Sequence, residues 1–452
     1  MSVYSLGRRE FLRIGLAGSC WPVLTHAGWG ESNGCDRTNW YRNAKFGMFI
    51  HWGPYSQASV EASWPIMTPQ PGGITEAEYR ALPRTFNPAK FDPDALVDLA
   101  RLAGQEYMVF TTKHHDGFCM FNSSYTDYKI TNTPYGKDIV AQLAKACGKD
   151  GLPLGFYYSP PDMHHPGFRD TTKLARENWH GEPQRPEWPS YLQYMQLQVA
   201  ELLTRYGPVA IVWFDGLDHQ EKYNGPRVIE MIHELQPATL VNDRIGVDGD
   251  YETPEQFIPP AIPTRDVALS GIDQEASKSL KNTVPRPEDF RLWETCMTIN
   301  NTWAYNRNDR DYKSSRTLIR SLVEVASRGG NYLLNVGPQP DGQIQPEFQQ
   351  RLRAIGDWLI LNGASIYGTT YGPVQGVSGL RTTAKRKSIY LHLFDWPAPL
   401  CEIAGIEARV MSGRLLATGQ PLTFRQSEGK LQIDIPPQPP DPDVSVIALK
   451  AY

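Results

Sequence analysis

Polar side chains stand at the ends of five short apolar segments in this chain of 452 residues. A single histidine, tyrosine or aspartate at such a place is most often a structural residue whose hydrogen bonds are made within the protein. Five such ends are harder to explain by packing, and they favour a shared pocket if the segments are parallel strands. The five clusters are His51-Trp52, His114-His115-Asp116, Tyr157-Tyr158-Ser159, Trp213-Phe214-Asp215-Gly216 and Asn242-Asp243-Arg244.

Asp215 is the carboxylate that this pattern favours for catalysis, because it ends the very apolar run from Val209 to Phe214. Hydrolysis of a glycosidic bond uses two carboxyl groups beside the anomeric carbon. Burial against Trp213 favours a neutral carboxyl, whereas a donor such as Arg244 favours the carboxylate. Since a nucleophile must stay ionised, we expect donors beside Asp215. The alternative is that Asp215 caps the next helix.

His51, His114 and His115 also have to be considered as metal ligands, since imidazoles bind zinc and iron. Adjacent residues of a strand point to opposite faces, so His114 and His115 share a site only if the strand bends there. The chain has no HExxH motif. We therefore expect no metal and no cofactor; imidazoles are also good donors to sugar hydroxyls.

The elements between residues 40 and 360 are predicted to be apolar strands that alternate with helices. Such strands imply a parallel sheet covered on both faces. Seven or eight units fit a (β/α)8-like (TIM) barrel, in which all strands end at one face. A doubly wound sheet is the alternative, but no GxGxxG follows the first strand. The predicted strands are 45–53, 106–112, 154–159, 209–214, 239–242, 291–298 and 332–336, and the predicted helices are 94–103, 139–149, 189–205, 227–235 and 315–327.

The pattern changes after Gly368, where short strands are separated by turn residues. Strands predicted at 388–394, 406–411, 431–435 and 444–449 indicate a C-terminal antiparallel β-sandwich. We therefore divide the mature chain into a barrel over 28–365 and a β-sandwich over 366–452.

The N-terminus has the three parts of an export signal. The twin arginines Arg8 and Arg9 precede a moderately apolar run, which ends in the small-residue segment Thr25-His26-Ala27. That run is too short to span a bilayer. We predict a signal peptide over 1–27 and a periplasmic or secreted product, with an amphipathic helix as the alternative.

Composition bounds the partners of the protein. A net charge of -4 gives no sign of a nucleic-acid or anionic-membrane surface. None of the six cysteines shows the CxxC spacing of a zinc or redox site. We expect most of them to be buried thiols, although one disulfide is compatible with an exported chain.

Several long segments together resemble the α-L-fucosidase family of retaining glycoside hydrolases (glycoside hydrolase family 29). They run from Trp40 to Tyr371 in one order: KFGMFIHWGPYS, TTKHHDGFCMFNSSYTDY, GFYYSP, VWFDG, NDRIG, DYETPE, WETCMTIN and GGNYLLNVGP. The resemblance implies a (β/α)8-like barrel with a C-terminal β-sandwich, and an exo-acting enzyme that hydrolyses terminal α-L-fucosyl linkages of glycans.

The resemblance also implies roles for individual residues. Asp215 matches the nucleophile and Glu255 the acid/base, with Glu294 as the alternative and Glu252 or Asp250 as further candidates. The implied sugar-binding residues are His51, Trp52, Trp64, His114, His115, Tyr157 or Tyr158, Trp213 and Arg244.

One departure bears on the sugar. Relatives commonly carry Glu-Trp after the HWG motif, whereas Ser63 precedes Trp64 here, with Glu61 two positions earlier. The change puts a contact to the 4-hydroxyl in question, so an α-L-galactoside is the alternative substrate. A catalytically inactive carbohydrate-binding protein is the alternative from another class.

Overall fold

The computed structural model describes residues 36–216, 220–264 and 284–452. Its first sheet is parallel and has the strand order β5-β4-β3-β2-β1-β7-β6. The strands are β1 Phe46–Ile50, β2 Tyr107–Lys113, β3 Leu154–Tyr158, β4 Ile211–Phe214, β5 Leu240–Val241, β6 Glu294–Thr298 and β7 Asn331–Val336. The predicted signal peptide over 1–27 lies outside the described residues.

Side chains of these strands alternate between two layers, as a pleated sheet requires. Met48, Ile50 and Phe156 pack outward in the large core beneath the helices. Phe49 and Tyr157 pack inward, in a second core enclosed by the curled sheet. Burial on both faces explains why each strand is a continuous apolar run in the sequence.

Helices cover the outer face, and several begin at a side-chain cap. The Asp92 and Asp138 side chains accept hydrogen bonds from the N–H of Ala95 and Ala141. The helices are α1 Asn39–Ala44, α2 Trp64–Met67, α3 Glu76–Ala81, α4 Pro93–Leu102, α5 Ile139–Asp150, α6 Trp188–Arg205, α7 Gly225–Leu235, α8 Ser315–Ser327 and α9 Pro346–Asn362.

Antiparallel sheets follow α9. One sheet has the order β13-β12-β16-β10-β9-β8 and the other has β11-β15-β14. Their strands are β8 Thr370–Tyr371, β9 Leu380–Lys385, β10 Ser388–Leu393, β11 Leu400–Ala404, β12 Val410–Leu415, β13 Pro421–Leu422, β14 Phe424–Ser427, β15 Lys430–Asp434 and β16 Ser445–Ala451. The predicted fold class, a barrel-like α/β sheet followed by antiparallel sheets, is confirmed.

Cysteines in the described ranges are buried free thiols: Cys119, Cys147, Cys296 and Cys401. Cys20 and Cys35 lie outside these ranges. Within the same ranges, none of the helices combines the length and the apolar character that crossing a membrane requires.

Candidate active site

Asp215 directly follows β4 and accepts hydrogen bonds from neighbouring side chains. Tyr157 Oη donates to Asp215 Oδ2 at 2.7 Å, and Arg244 Nη1 donates to Oδ1 at 3.0 Å. His115 Nε2 lies 3.5 Å from Oδ2. The Asp215 side chain keeps 16% of its surface exposed. The carboxylate therefore has two fixed hydrogen-bond donors and remains open to a ligand.

Arg244 links Asp215 to Glu255. Its Nε and Nη2 donate to Thr253, at 2.9 Å to Oγ1 and 2.8 Å to the carbonyl oxygen. Its Nη1 also donates to Glu255 Oε2 at 2.8 Å. Burial opposes the charge of Arg244, but the charges of Glu255 and Asp215 outweigh it and raise the pKa of Arg244 above its ordinary value. One fixed cation thus serves two carboxylates.

A β-bulge brings His114 and His115 to one side. The register between β2 and β3 shifts between Thr111 and Lys113, and an extra residue of this kind re-aims the side chains that follow. The rings of His114 and His115 have centroids 4.1 Å apart, and the centroid of His51 lies 5.8 Å from that of His114. The bend required for a shared site is present.

Burial keeps the three histidines neutral. It lowers the pKa of His51 to about 4 and that of His115 to about 3, and it holds the pKa of His114 well below its ordinary value. Neutral imidazoles offer one donor and one acceptor each, which suits them to hydroxyl groups.

Each histidine is oriented through Nδ1 by a residue that the sequence did not single out for this work. His51 Nδ1 lies 2.7 Å from Asn335 Oδ1, and His115 Nδ1 lies 2.6 Å from Ser159 Oγ. His114 Nδ1 is hydrogen-bonded to Ser63 Oγ.

Aromatic rings form the walls of the cluster. Tyr157 stacks on His114 at 5.6 Å and on Trp213 at 5.7 Å between centroids. Trp64 meets His115 edge-on at 5.8 Å. Trp303 lies 4.9 Å from His51 and was not predicted.

The carboxylate of Glu61, beside these aromatic rings, already has a hydrogen-bond partner. Its two carboxylate oxygens accept the backbone N–H of Trp303 at 2.9 and 3.1 Å, and burial raises the pKa of Glu61 to about 7. Glu61 therefore holds the loop that carries Trp303.

The structure does not bring Trp52 or Tyr158 into the cluster. Both point outward, because they alternate with the inward residues His51 and Tyr157. Trp52 packs 5.1 Å from Phe91 and donates to a backbone carbonyl, and Tyr158 Oη donates to a glutamine at 2.8 Å. The expectation that Trp52 contacts the sugar is therefore wrong. Of the two tyrosines, Tyr157 is the one that faces Asp215.

Glu294 lies at the N-terminal end of β6, opposite the end at which the cluster forms. It is fully buried, and it accepts hydrogen bonds from Trp213 Nε1 at 3.0 Å and from Tyr107 Oη. Burial raises the pKa of Glu294 to about 7. The Glu294 carboxyl is therefore enclosed by aromatic side chains.

Two histidines and Asp215 also have the spacing of metal ligands. A nitrogen of His114, a nitrogen of His115 and an oxygen of Asp215 lie within 4.8 Å of one another. However, the Arg244 guanidinium and the Tyr157 hydroxyl already occupy the Asp215 carboxylate. A metal cation there would face the charge of Arg244, so the donor set fits a neutral polar ligand better.

Comparisons with known proteins identify the family of the chain. The family model described as α-L-fucosidase matches residues 26–364. An α-L-fucosidase of Branchiostoma floridae is 28% identical over 424 residues, which are 85% of each chain. The structure of α-L-fucosidase isoenzyme 1 from Paenibacillus thiaminolyticus is 35% identical with a TM-score of 0.81, and the match covers 92% of this chain and 99% of that one.

A second similar structure is a trapped covalent intermediate of a family 29 α-L-fucosidase from Bacteroides thetaiotaomicron, with 2-fluoro-fucosyl fluoride, in a Glu-to-Gln mutant. It is 27% identical with a TM-score of 0.78, and the match covers 94% of this chain and 98% of that one. The family model spans most of the chain, and the solved structures share its fold. The chain therefore belongs to the α-L-fucosidase family of glycoside hydrolases.

Proposed function

We propose that this protein is an exo-acting α-L-fucosidase that removes terminal α-L-fucosyl groups from glycans with retention of configuration. The observation that carries the proposal is the pair of carboxylates on Arg244. Because Asp215 and Glu255 both lie within 3.0 Å of Arg244 Nη1, their bonded oxygens are within about 6 Å of each other. Retaining enzymes hold their carboxyls about 5–5.5 Å apart, whereas inverting enzymes need roughly 6.5–9.5 Å.

In the first step of this mechanism, an Asp215 oxygen attacks the anomeric carbon. The bond to the leaving oxygen breaks, and Glu255 gives that oxygen its proton. In the second step Glu255 takes a proton from water, which attacks the anomeric carbon and releases Asp215 as a carboxylate. Arg244 supports both steps, because it stabilises Asp215 as an anion before attack and after release.

Glu255 is favoured as the acid/base by its exposure. Its side chain is 42% exposed, so it can approach a leaving group that projects into solvent. Glu294 is buried beneath Trp213, Glu252 pairs with Arg291 at 3.3 Å, and Asp250 accepts the backbone N–H of Val241 at 2.9 Å.

The nucleophile is tested with Asp215→Ala. Removal of the attacking group should lower kcat by about 10³-fold or more, as nucleophile deletions do in other hydrolases. NMR of the first sugar released by the parent enzyme gives its anomeric configuration. Retention supports the mechanism, and an inverted first product contradicts it.

The acid/base is tested with Glu255→Ala and Glu294→Ala. Loss of the acid should harm substrates with poor leaving groups most, since an activated aryl fucoside needs little protonation. Azide should then restore turnover and give a fucosyl azide. If Glu294→Ala shows both effects and Glu255→Ala shows neither, the assignment is wrong.

Because Ser63 stands where relatives commonly carry glutamate, an α-L-galactoside is the alternative substrate. Parallel assays with matched aryl α-L-fucoside and α-L-galactoside compare kcat/KM directly, and a higher value for the galactoside would change the proposed substrate. Absence of turnover on both would instead favour a carbohydrate-binding protein.

We also propose export through the twin-arginine signal. Replacing Arg8 and Arg9 with lysine should keep the precursor inside the cell, because a receptor reads the arginine pair. Fractionation of cells that express the parent and the variant tests this proposal. Equal amounts of the two proteins outside the cytoplasm would contradict it.

A further inference from the structure

The hydrogen-bond partners of the three pocket histidines fix which ring nitrogen carries each proton. His51, His114 and His115 are buried and neutral, so each has one N–H and one bare nitrogen. The nitrogen opposite Nδ1 is Nε2. It donates or accepts according to what the Nδ1 partner demands.

His51 is held with Nε2 as its acceptor nitrogen. Asn335 Nδ2 donates to the carbonyl oxygen of Trp303 at 2.6 Å, which fixes the orientation of the amide. Asn335 therefore presents Oδ1 to His51 Nδ1, 2.7 Å away. An amide oxygen only accepts, so the proton of His51 is on Nδ1 and Nε2 is bare.

His115 is held in the same way. Ser159 Oγ lies 3.0 Å from the carbonyl oxygen of Pro161 and 2.6 Å from His115 Nδ1. Ser159 donates to this carbonyl, so its single hydroxyl proton lies between the two oxygens. Ser159 then accepts from His115 Nδ1, and the bare Nε2 faces Asp215.

His114 has the opposite arrangement because of Ser63. Ser63 is fully buried, and its Oγ accepts the N–H of Asp116 at 3.2 Å. Its other partner in the described part of the chain is His114 Nδ1. A buried hydroxyl proton without an acceptor costs about 1–3 kcal/mol. The proton of Ser63 therefore goes to His114 Nδ1.

We propose that Ser63 is a positioning residue that holds His114 with its proton on Nε2. The pocket then offers one imidazole donor and two imidazole acceptors. A sugar hydroxyl has one proton and two lone pairs, so a hydroxyl that donates to His51 or His115 can still accept from His114. Three acceptor imidazoles would demand three hydroxyl protons. The ligand class rests on the proposed function, whereas the proton positions do not.

The test is ¹⁵N NMR of the full-length protein labelled in histidine, without ligand. His114 should show a pyridine-type Nδ1 and a pyrrole-type Nε2, and His51 and His115 should show the reverse. Each signal is assigned by its loss when that histidine is changed to glutamine. A wild-type His114 with its proton on Nδ1 would overturn the proposal without any change at Ser63.

Two variants test the control by Ser63. Ser63→Thr keeps the hydroxyl and should keep the wild-type pattern. Ser63→Asp puts an acceptor beside Nδ1 and should place a proton there. Ser412→Asp, on the exposed part of β12, controls for the added charge. If Nδ1 of His114 stays bare in Ser63→Asp, Ser63 does not set the proton position.

Kinetics supply a second measurement. Ser63→Asp should raise KM for an aryl α-L-fucoside by about tenfold, the effect of one lost hydrogen bond, and Ser63→Thr should stay within about threefold of the parent. An unchanged KM in Ser63→Asp would contradict the role in binding. If the parent hydrolyses no fucoside but shows the predicted NMR pattern, the proposed function fails and this inference stands.

Discussion

Glu294 is linked to Asp215 through Trp213 and then through Tyr157 or Arg244. It accepts the indole N–H of Trp213 at 3.0 Å. Trp213 stacks on Tyr157, and the Arg244 guanidinium carbon lies 4.8 Å from the Trp213 ring centroid. Both Tyr157 and Arg244 donate to Asp215. Glu294 thus supports the orientation of the two donors that hold the Asp215 carboxylate.

The raised pKa of the buried Glu294 carboxyl is tested by measuring how the stability of a Glu294→Gln variant depends on pH. The pKa of Glu294 is raised from 4.5 to about 7, so unfolding releases a proton between those pH values and the stability of the parent falls as pH rises through that window. Glutamine does not titrate. Urea unfolding at pH 5 and pH 8 should therefore show the variant gaining on the parent by an amount on the order of 3 kcal/mol. A constant difference would show that Glu294 titrates normally.

The sequence indicated Asp215 and Arg244, which the structure brings together, but it did not indicate the residues that orient the histidines. Asp215 and Arg244 end apolar runs and could be found from that position alone. Asn335 and Trp303 are far from His51 in the sequence, and the pairing of β1 with β7 brings them near. Trp52 was misplaced for a simpler reason: if His51 points inward, the residue after it points outward.

At the scale of elements, the bulge in β2 decides whether two adjacent histidines can serve one site. Thr112 is the extra residue, since Thr111 pairs with Tyr157 and Lys113 pairs with Tyr158. Its hydroxyl donates to the carbonyl oxygen of Tyr157 at 2.7 Å and is fully buried. This hydrogen bond anchors the bulge to the strand that carries the tyrosine facing Asp215.

Thr112→Val should loosen the bulge. The Tyr157 carbonyl would lose its partner in a buried place, at a cost of about 1–3 kcal/mol, and kcat/KM should fall because His114 and His115 follow the bulge. Thr112→Ser keeps the hydroxyl and serves as the matched control. Equal stability and activity in the two variants would show that the bulge does not depend on this bond.

Strand and helix positions in the barrel were largely predictable, because the strands are apolar throughout and the helices are amphipathic. Helix α9 was missed: it begins at Pro346, and its first half is rich in glutamine and charged residues. The strand predicted at 406–411 is found at Val410–Leu415. Half-exposed antiparallel strands carry a weaker pattern, and their register depends on partners that the sequence does not reveal.

At the scale of the whole molecule, hydrogen bonds and an ion pair join the C-terminal sheets to the barrel helices. Trp358 of α9 donates from Nε1 to the carbonyl oxygen of Val444 at 2.9 Å. Arg381 of β9 forms an ion pair with Glu324 of α8. Thr383 Oγ1 donates to the carbonyl oxygen of Ser365 at 2.7 Å, just after α9. These bonds imply that the two parts unfold together.

His392 makes this junction sensitive to acid. It is fully buried on β10, and its Nε2 lies 3.0 Å from Thr383 Oγ1. Since the Thr383 proton goes to Ser365, Thr383 accepts from His392 Nε2, and a second proton would have to be placed on the buried Nδ1. Burial accordingly lowers the pKa of His392 from 6.5 to about 3. Unfolding therefore takes up a proton between these pH values, and stability falls as pH falls through that window.

His392→Gln should remove this part of the acid sensitivity, because glutamine can still donate to Thr383 but does not titrate. Between pH 7.5 and pH 4.5 the parent should lose about 3 kcal/mol more stability than the variant. His180, whose ring is part of the loop beside Trp179, gives a matched histidine-to-glutamine control outside the junction. Urea unfolding followed by tryptophan fluorescence at the two pH values measures the difference. A parent and a His392→Gln variant that weaken equally would show that His392 is not the group that takes up the proton.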